Sequence, residues 1–314
     1  MEVLTNLKNE ELIRRFEEDC KIRGLTEGSI KSYKSCLRIF SSFLKINGID
    51  LISINRDILR SYVGFLREKR LNYKTIENHF SAISALCEYM VYEGIIAKNV
   101  ALEVRKRYLH TYKSDNNDAH RKLISVEEMV KFINSIADIR DKAMVALLAK
   151  TGIRRKELVA IDLDDINWQE MSIILKPTAK RSNRIVFFDD ETAVLLKKWI
   201  SKREAIAKQN CKALFISYQT GERLDRSGLY NSFIYWAERA CLHNPNSDRI
   251  EDHFTPHCCR HWFTTWLRRN GMPREYIQEL RGDARSDAID IYYHIDREEL
   301  RKSYLACIPK LGIA

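Results

Sequence analysis

The sequence predicts a mainly helical protein of two domains, the first all-helical and the second mostly helical with a small antiparallel β-sheet. Three observations carry this expectation. Apolar residues recur at helical spacing along most of the chain, while the segments 171–176 and 184–188 read as strands. A stretch that turns basic and then polar, 104–118, has little to bury and separates the two helical sets as a solvated linker would. At 314 residues the chain is too long for one ordinary domain and suits two, each burying its own core.

In the first domain, residues 8–23 place Leu12, Ile13, Phe16 and Cys20 on one helical face and stop at Gly24. Thr26 can cap a second helix carrying Ile30, Tyr33, Leu37, Phe40 and Leu44, closed by Asn47 and Gly48. Helices near 55–69 and 73–93 complete a small bundle, which 94–99 ends. No acidic residue falls between Gly28 and Ile49, whereas Lys31, Lys34, Arg38 and Lys45 do. That pattern alone fits a phosphate-facing surface and a solvated basic face equally. Arg105, Lys106 and Arg107 open the linker and could lie along a nucleic-acid backbone. The boundary falls near residue 115, giving domains 1–112 and 125–314 joined by 113–124.

The second domain opens at Ser125, whose partner Glu128 completes a capping box before Met129, Phe132 and Ile133. The apolar run 143–149 reads as a buried helix. Segments 171–176 and 184–188, joined by polar residues 177–183, form a hairpin, and helices resume at 191–208 and 227–242. Thr255 and Pro256 suit the cap and first turn of a helix ending near Gly271. The tail, 297–314, has Leu300, Tyr304, Leu305 and Ile308 at helical spacing, fit either to pack on its own domain or to dock on a neighbouring subunit.

Composition narrows the partners. A net charge of +10 favours a polyanion. No apolar run approaches the ~18 residues of a membrane span and no secretory leader opens the chain, so a cytoplasmic protein without a membrane partner is expected. Eight cysteines without C-x-x-C pairing argue against a zinc ribbon and against a disulfide scaffold. His253, His257 and His261 recur every four residues, a spacing that can chelate a metal, but Pro256 interrupts them and no convincing carboxylate or cysteine set completes them. Neither a metal nor a cofactor is expected.

The stretch 253–294 concentrates the chemistry. His257 and Arg260, three residues apart, share one face near the start of a helix, where free amide groups and the helix dipole favour an anion such as phosphate. Tyr292 or Tyr293 could reach the same point as a nucleophile.

His257-x-x-Arg260 followed by a tyrosine in the setting Ile291-Tyr292-Tyr293-His294 resembles the tyrosine recombinase, or phage integrase, family. The segment Thr151-Gly152-Ile153-Arg154-Arg155-Lys156-Glu157-Leu158 resembles that family's first box, with Arg154 and Glu157 at the matching positions. The hairpin resembles the one carrying the family's catalytic lysine. Lys180 is the match there, Lys176 a weaker one, and Arg181 a credible substitute. These motifs agree in order and spacing over roughly 125–300. The family pattern selects Tyr292 over Tyr293. The resemblance implies an all-helical, SAM-like core-binding domain that clamps double-stranded DNA with the catalytic domain, and a homotetramer assembling on specific recombination sites with exchange of its C-terminal tails.

The residues support metal-independent strand transfer. A tyrosine phenolate can attack the phosphodiester and conserve its bond energy as a 3′-phosphotyrosine ester. Arg154 and Arg260 can clamp the non-bridging oxygens with a fork that lysine lacks. Lys180 can protonate the leaving 5′-oxygen, His257 can donate to the phosphate or shuttle the tyrosine proton, and Glu157 orients an arginine. Asp283 stands in the catalytic set by position alone: family members usually carry histidine or tryptophan there, after a glycine and nine residues before the tyrosine. A carboxylate repels phosphate unless it is protonated or paired with an arginine, so either Asp283 organises Arg260 or Arg285, or a neighbour supplies the missing donor, or the enzyme is slow. The role implied is integration or excision of a viral or mobile element, or Xer-like resolution of chromosome dimers. A catalytically weak or inactive DNA-binding regulator and a type IB topoisomerase-like strand transferase are the alternatives.

Overall fold

The computed structural model describes residues 9–109, 122–177, 184–283 and 295–313. Lys180, Arg181, Tyr292 and Tyr293 lie outside them. The chain divides into two compact units, Met1–Asn117 and Asp118–Ala314.

Among its described residues the first unit holds five α-helices: α1 (Asn9–Ile22), α2 (Glu27–Ile46), α3 (Arg56–Glu68), α4 (Tyr73–Tyr92) and α5 (Val100–Tyr108). Side chains set the helix starts. Thr26 accepts from the Ser29 N–H, Asn55 from the Asp57 and Ile58 N–H groups, Asn72 from Thr75 and Asn99 from Ala101. Each such cap stabilises a helix by about 1 kcal/mol. Leu12 and Phe16 of α1, Leu37, Phe40 and Leu44 of α2, and Leu59, Tyr62 and Leu66 of α3 are fully buried with Phe80, Ile83 and Leu86 of α4. The Tyr62 hydroxyl pairs with His79 Nδ1 at 2.9 Å, satisfying two polar groups inside this core.

One expectation needs correction here. The stretch beginning at Val104 is not linker: residues 100–108 form α5, with Ala101 and Val104 buried in the bundle core. The Asn99 cap and the i, i+3 apolar pair outweigh the basic run that follows. Arg105, Lys106 and Arg107 therefore occupy the last turn of a packed helix, where positive charge also complements the helix dipole.

The second unit carries α6 (Val126–Ser135), α7 (Ile139–Thr151), α8 (Arg155–Ala160), α9 (Asp190–Glu204), α10 (Arg226–Arg239), α11 (Pro256–Arg269), α12 (Arg274–Arg281) and α13 (Arg297–Cys307). Its sheet has β1 (Ile166–Asn167), β2 (Ser172–Leu175) and β3 (Arg184–Phe187) in that order, all antiparallel, with Ile173 opposite Val186. The capping box is present: the Glu128 N–H donates to Ser125 Oγ and the Ser125 N–H to Glu128 Oε2.

Helix α7 is buried almost all round. Even Lys150 is fully buried, its ammonium donating to Asp189, to Glu191 Oε2 at 2.7 Å and to the Pro309 carbonyl at 2.7 Å. Gly152 ends α7 at φ +60°, and a Cβ there would stand 2.4 Å from the Phe263 ring of α11. Both the left-handed backbone and the close approach of α11 require glycine. A separate apolar cluster joins Phe187 of β3, Phe263 and Leu267 of α11, Ile277 and Leu280 of α12, and Leu300, Tyr304 and Ile308 of the tail. The tail thus packs within its own unit in this structure, and Glu191 accepts from the Leu311 and Gly312 N–H groups.

Candidate active site

The site is assembled where α7 ends, α11 begins and α12 ends. Arg154 immediately precedes α8, and Glu157 in the first turn of that helix accepts the Arg154 backbone N–H at 2.7 Å. Glu157 is buried and also takes both terminal nitrogens of Arg184, at 2.7 and 2.9 Å, in a fork-to-carboxylate pair. Burial alone would raise the Glu157 carboxyl, but the hydrogen bonds from Arg184 and from the Arg154 backbone outweigh it and hold the group below its ordinary value. Arg184 Nε donates to the Leu280 carbonyl at 3.0 Å, tying β3 to the end of α12.

Arg260 lies in the second turn of α11 and is 3% exposed. Its Nη1 donates to the Gly152 carbonyl at 2.7 Å; its Nη2 donates to the Arg281 carbonyl at 2.9 Å and to Asp283 Oδ1 at 3.0 Å. Arg154 converges on the same acceptors, with Nη1 at 3.3 Å from the Arg281 carbonyl and Nη2 at 3.4 Å from Asp283 Oδ1. The Arg281 guanidinium closes on Asp283 Oδ2 at 2.8 Å. Burial, then the neighbouring charges of Arg154 and Arg281, push Arg260 down to about 9, against the opposing pull of Asp283 and Glu157. Four guanidiniums thus share two carboxylates, and the excess positive charge suits an incoming anion.

Beside them opens a cavity of about 410 Å³ lined by Arg154, Arg155, Lys156, Arg226, His257 and Arg260, with Tyr230 among its walls. His257, exposed at the start of α11, therefore faces the same space as both arginines. Thr255 stands at the N-cap, where its backbone N–H donates to Cys258 Sγ at 3.3 Å, and Pro256 occupies the first helical position. Gly282, at φ +60°, turns the chain out of α12 toward Asp283, and a Cβ there would stand 2.7 Å from Arg184 Cδ. The turn that presents Asp283 is thereby packed on the arginine that holds Glu157.

Residues 123–299 match the model of the phage integrase family, and residues 11–108 that of the phage integrase SAM-like domain. The chain belongs to the phage integrase family. It is 27% identical over 300 residues to tyrosine recombinase XerD of Oceanobacillus iheyensis, covering 92% of this chain and 94% of that protein. It is 28% identical over 307 residues to tyrosine recombinase XerD of Corynebacterium glutamicum, again covering 92% and 94%. Its fold is similar to that of a lambda integrase chain, solved in a tetramer bound to a Holliday junction, with a TM-score of 0.69 at 15% identity over 94% of this chain and 80% of the other. The expected architecture, a SAM-like helical domain and a mostly helical catalytic domain with a small antiparallel sheet, is the one this integrase-family chain has.

Of the residues the family pattern singled out, Arg154, Glu157, His257, Arg260 and Asp283 are brought together, while Lys180 and Tyr292 lie outside the described residues. Lys176, the weaker lysine match, is held by Asp162 and lies 3.7 Å from Asp165. Among the described residues, no group of three or more histidine, cysteine or acidic side chains could hold a metal ion. His257 and His261 meet edge to face at 4.9 Å, and His253 meets His243 at 5.0 Å. Sequence reasoning passed over Arg155, Arg226 and Tyr230. Arg155 lies over the Tyr230 ring at 4.9 Å, a cation–aromatic pair between α8 and α10 that no local motif announces. It also passed over Arg184 as anything more than a strand residue.

On the first unit, Lys31, Lys34, Arg38 and Lys45 are all exposed along α2, and Lys34 bonds Glu17 of α1 at 3.0 Å. Arg38 and Lys45 line a groove between α1 and α2. Among the described residues, no helix is long and apolar enough to cross a membrane.

Proposed function

We propose that this chain is a site-specific DNA recombinase that cleaves and rejoins duplex DNA through a 3′-phosphotyrosine intermediate. The observation that carries this reading is the convergence of Arg154 and Arg260, from separate elements, on one carboxylate beside a cavity that His257 also lines. Two forked cations at that spot match the charge that gathers on the non-bridging oxygens of a phosphodiester under attack.

In the proposed reaction the Tyr292 oxygen attacks phosphorus, the P–O5′ bond breaks, and the 3′-phosphate becomes esterified to the tyrosine. The departing 5′-oxygen takes a proton from Lys180. The 5′-hydroxyl of a second strand then attacks the phosphotyrosine and releases the phenol, so one phosphodiester replaces another without net hydrolysis. Arg154 and Arg260 hold the phosphate, His257 donates to it or relays the tyrosine proton, and Glu157 fixes Arg154 through its backbone N–H. Arg155, Lys156 and Arg226 extend the positive wall and are suited to neighbouring phosphates.

The substrate is double-stranded DNA bearing paired recombination sites, engaged by the basic face of α2 as well as by the catalytic unit, and the working assembly is a tetramer that exchanges C-terminal tails. The lambda integrase tetramer on a Holliday junction supports the tetramer, and the recombinase names of the XerD relatives support the reaction. Localisation follows the DNA, in the cytoplasm. The test is covalent trapping: a nicked duplex, built on the sequence that the full chain selects from a randomised library, should yield a protein–DNA adduct resistant to denaturant. Selection of a sequence without any adduct would favour the DNA-binding regulator instead.

A further inference from the structure

We propose that Asp283 is a positioning residue: its carboxylate sets Arg154 and Arg260 side by side before DNA arrives, rather than contacting the phosphate itself. The inference rests on the recombinase reading above.

Like charges at this spacing repel, and the effect is visible in Arg260, whose proton affinity is depressed by burial and by Arg154 and Arg281 together. Asp283 Oδ1 is the charged acceptor that both guanidiniums share, at 3.0 Å from Arg260 and 3.4 Å from Arg154, while Oδ2 forms an ion pair with Arg281 at 2.8 Å. Arg260 has further anchors in the Gly152 and Arg281 carbonyls at 2.7 and 2.9 Å. Arg154 is held more loosely. Its side chain is 34% exposed, and its bonds to Glu157 and to the Arg281 carbonyl are 3.4 and 3.3 Å. Removing the shared carboxylate would therefore release Arg154 first.

A second possibility, that the carboxylate fills the phosphate position as a stand-in anion, disagrees with the cavity. Both arginines line that space and Asp283 does not. The carboxylate binds the guanidiniums without occupying the room a phosphate would take. Three arginines around it also answer the repulsion between a carboxylate and a phosphodiester. The turn presenting it is fixed by Gly282 packed against Arg184, so its position is set by the same arginine that holds Glu157.

The experiment is single-turnover adduct formation by the full chain on the selected nicked duplex, run as a function of protein concentration. It compares wild type, Asp283→Ala, Asp283→Asn, Arg154→Ala and the double variant Arg154→Ala with Asp283→Ala, with melting midpoints confirming that each is folded. Misplacing a catalytic group by ~1 Å can cost about 10²-fold. Asp283→Ala should accordingly slow the rate at saturating protein by about 10- to 100-fold, with the half-saturating concentration little changed. Asp283→Asn, which keeps an acceptor, should fall in between. In the Arg154→Ala background, loss of Asp283 should add little, because the arginine it releases first is gone and Arg260 keeps its anchors in the Gly152 and Arg281 carbonyls. A rate for Asp283→Ala at or above wild type, or effects that multiply in the double variant, would overturn the inference alone. Absence of adduct from the wild type would overturn the recombinase reading and this inference with it.

Discussion

Arginine chemistry decides the site at the scale of single residues. Arg260→Ala should slow adduct formation by at least the ~10²- to 10³-fold typical of losing one oxyanion donor. Arg154→Lys should recover little of the activity lost in Arg154→Ala, since an ammonium cannot offer two parallel donors to a phosphate. Both outcomes are read from single-turnover rates on a nicked duplex. Glu157 gives a pH signature whose sign is fixed by its surroundings. Its folded-state value lies below the ordinary 4.5. The stability it contributes is therefore complete above that ordinary value and lost as pH falls through the lower, folded one. Glu157→Gln should flatten the acid limb of the stability profile, measured by denaturant unfolding as pH falls from above the ordinary glutamate value to well below it. An unchanged acid limb would mean that Arg184 and the Arg154 N–H do not hold the carboxylate as described.

Helices and strands were legible in the sequence where a sustained period or a cap with a long apolar face marked them. Thr26, Asn47 with Gly48, and Ser125 with Glu128 placed element ends correctly because each satisfies backbone groups locally. The hairpin was legible from two short apolar strands around a polar connection. Helix α5 was hidden because three basic residues follow its short apolar face, and its burial depends on α3 and α4 rather than on its own composition. In the site, Arg154, His257 and Arg260 were legible because family motifs fix their spacing. Arg184, Arg226 and Tyr230 were not, because their roles arise from interactions between residues far apart in sequence. The junction of α7 with α11 carries its own prediction. Gly152→Ala would force a left-handed alanine and a methyl into the Phe263 ring. It should lower stability by more than the ~1–2 kcal/mol of the backbone alone, as read from urea midpoints at unchanged slope. A midpoint within error of wild type would show that α11 can move away, and with it Arg260.

The whole molecule pairs a basic helical unit with a catalytic unit whose site carries more positive charge than its local acids balance. Binding to the selected duplex should weaken steeply with salt, because each phosphate neutralised releases condensed counterions. Replacing Lys31, Lys34 and Arg38 together by alanine should reduce the slope of log affinity against log salt by up to about 0.9 for each phosphate no longer neutralised. An unaltered slope in fluorescence anisotropy would remove α2 from the DNA surface. The central claim, strand transfer through a tyrosine ester, is met most directly by trapping the adduct on the nicked duplex and locating the nucleotide-bearing peptide by mass spectrometry. The expected product is a 3′-phosphate esterified to Tyr292, with no adduct from Tyr292→Phe and DNA affinity nearly intact. An adduct that maps to Tyr293 and persists in Tyr292→Phe would contradict it.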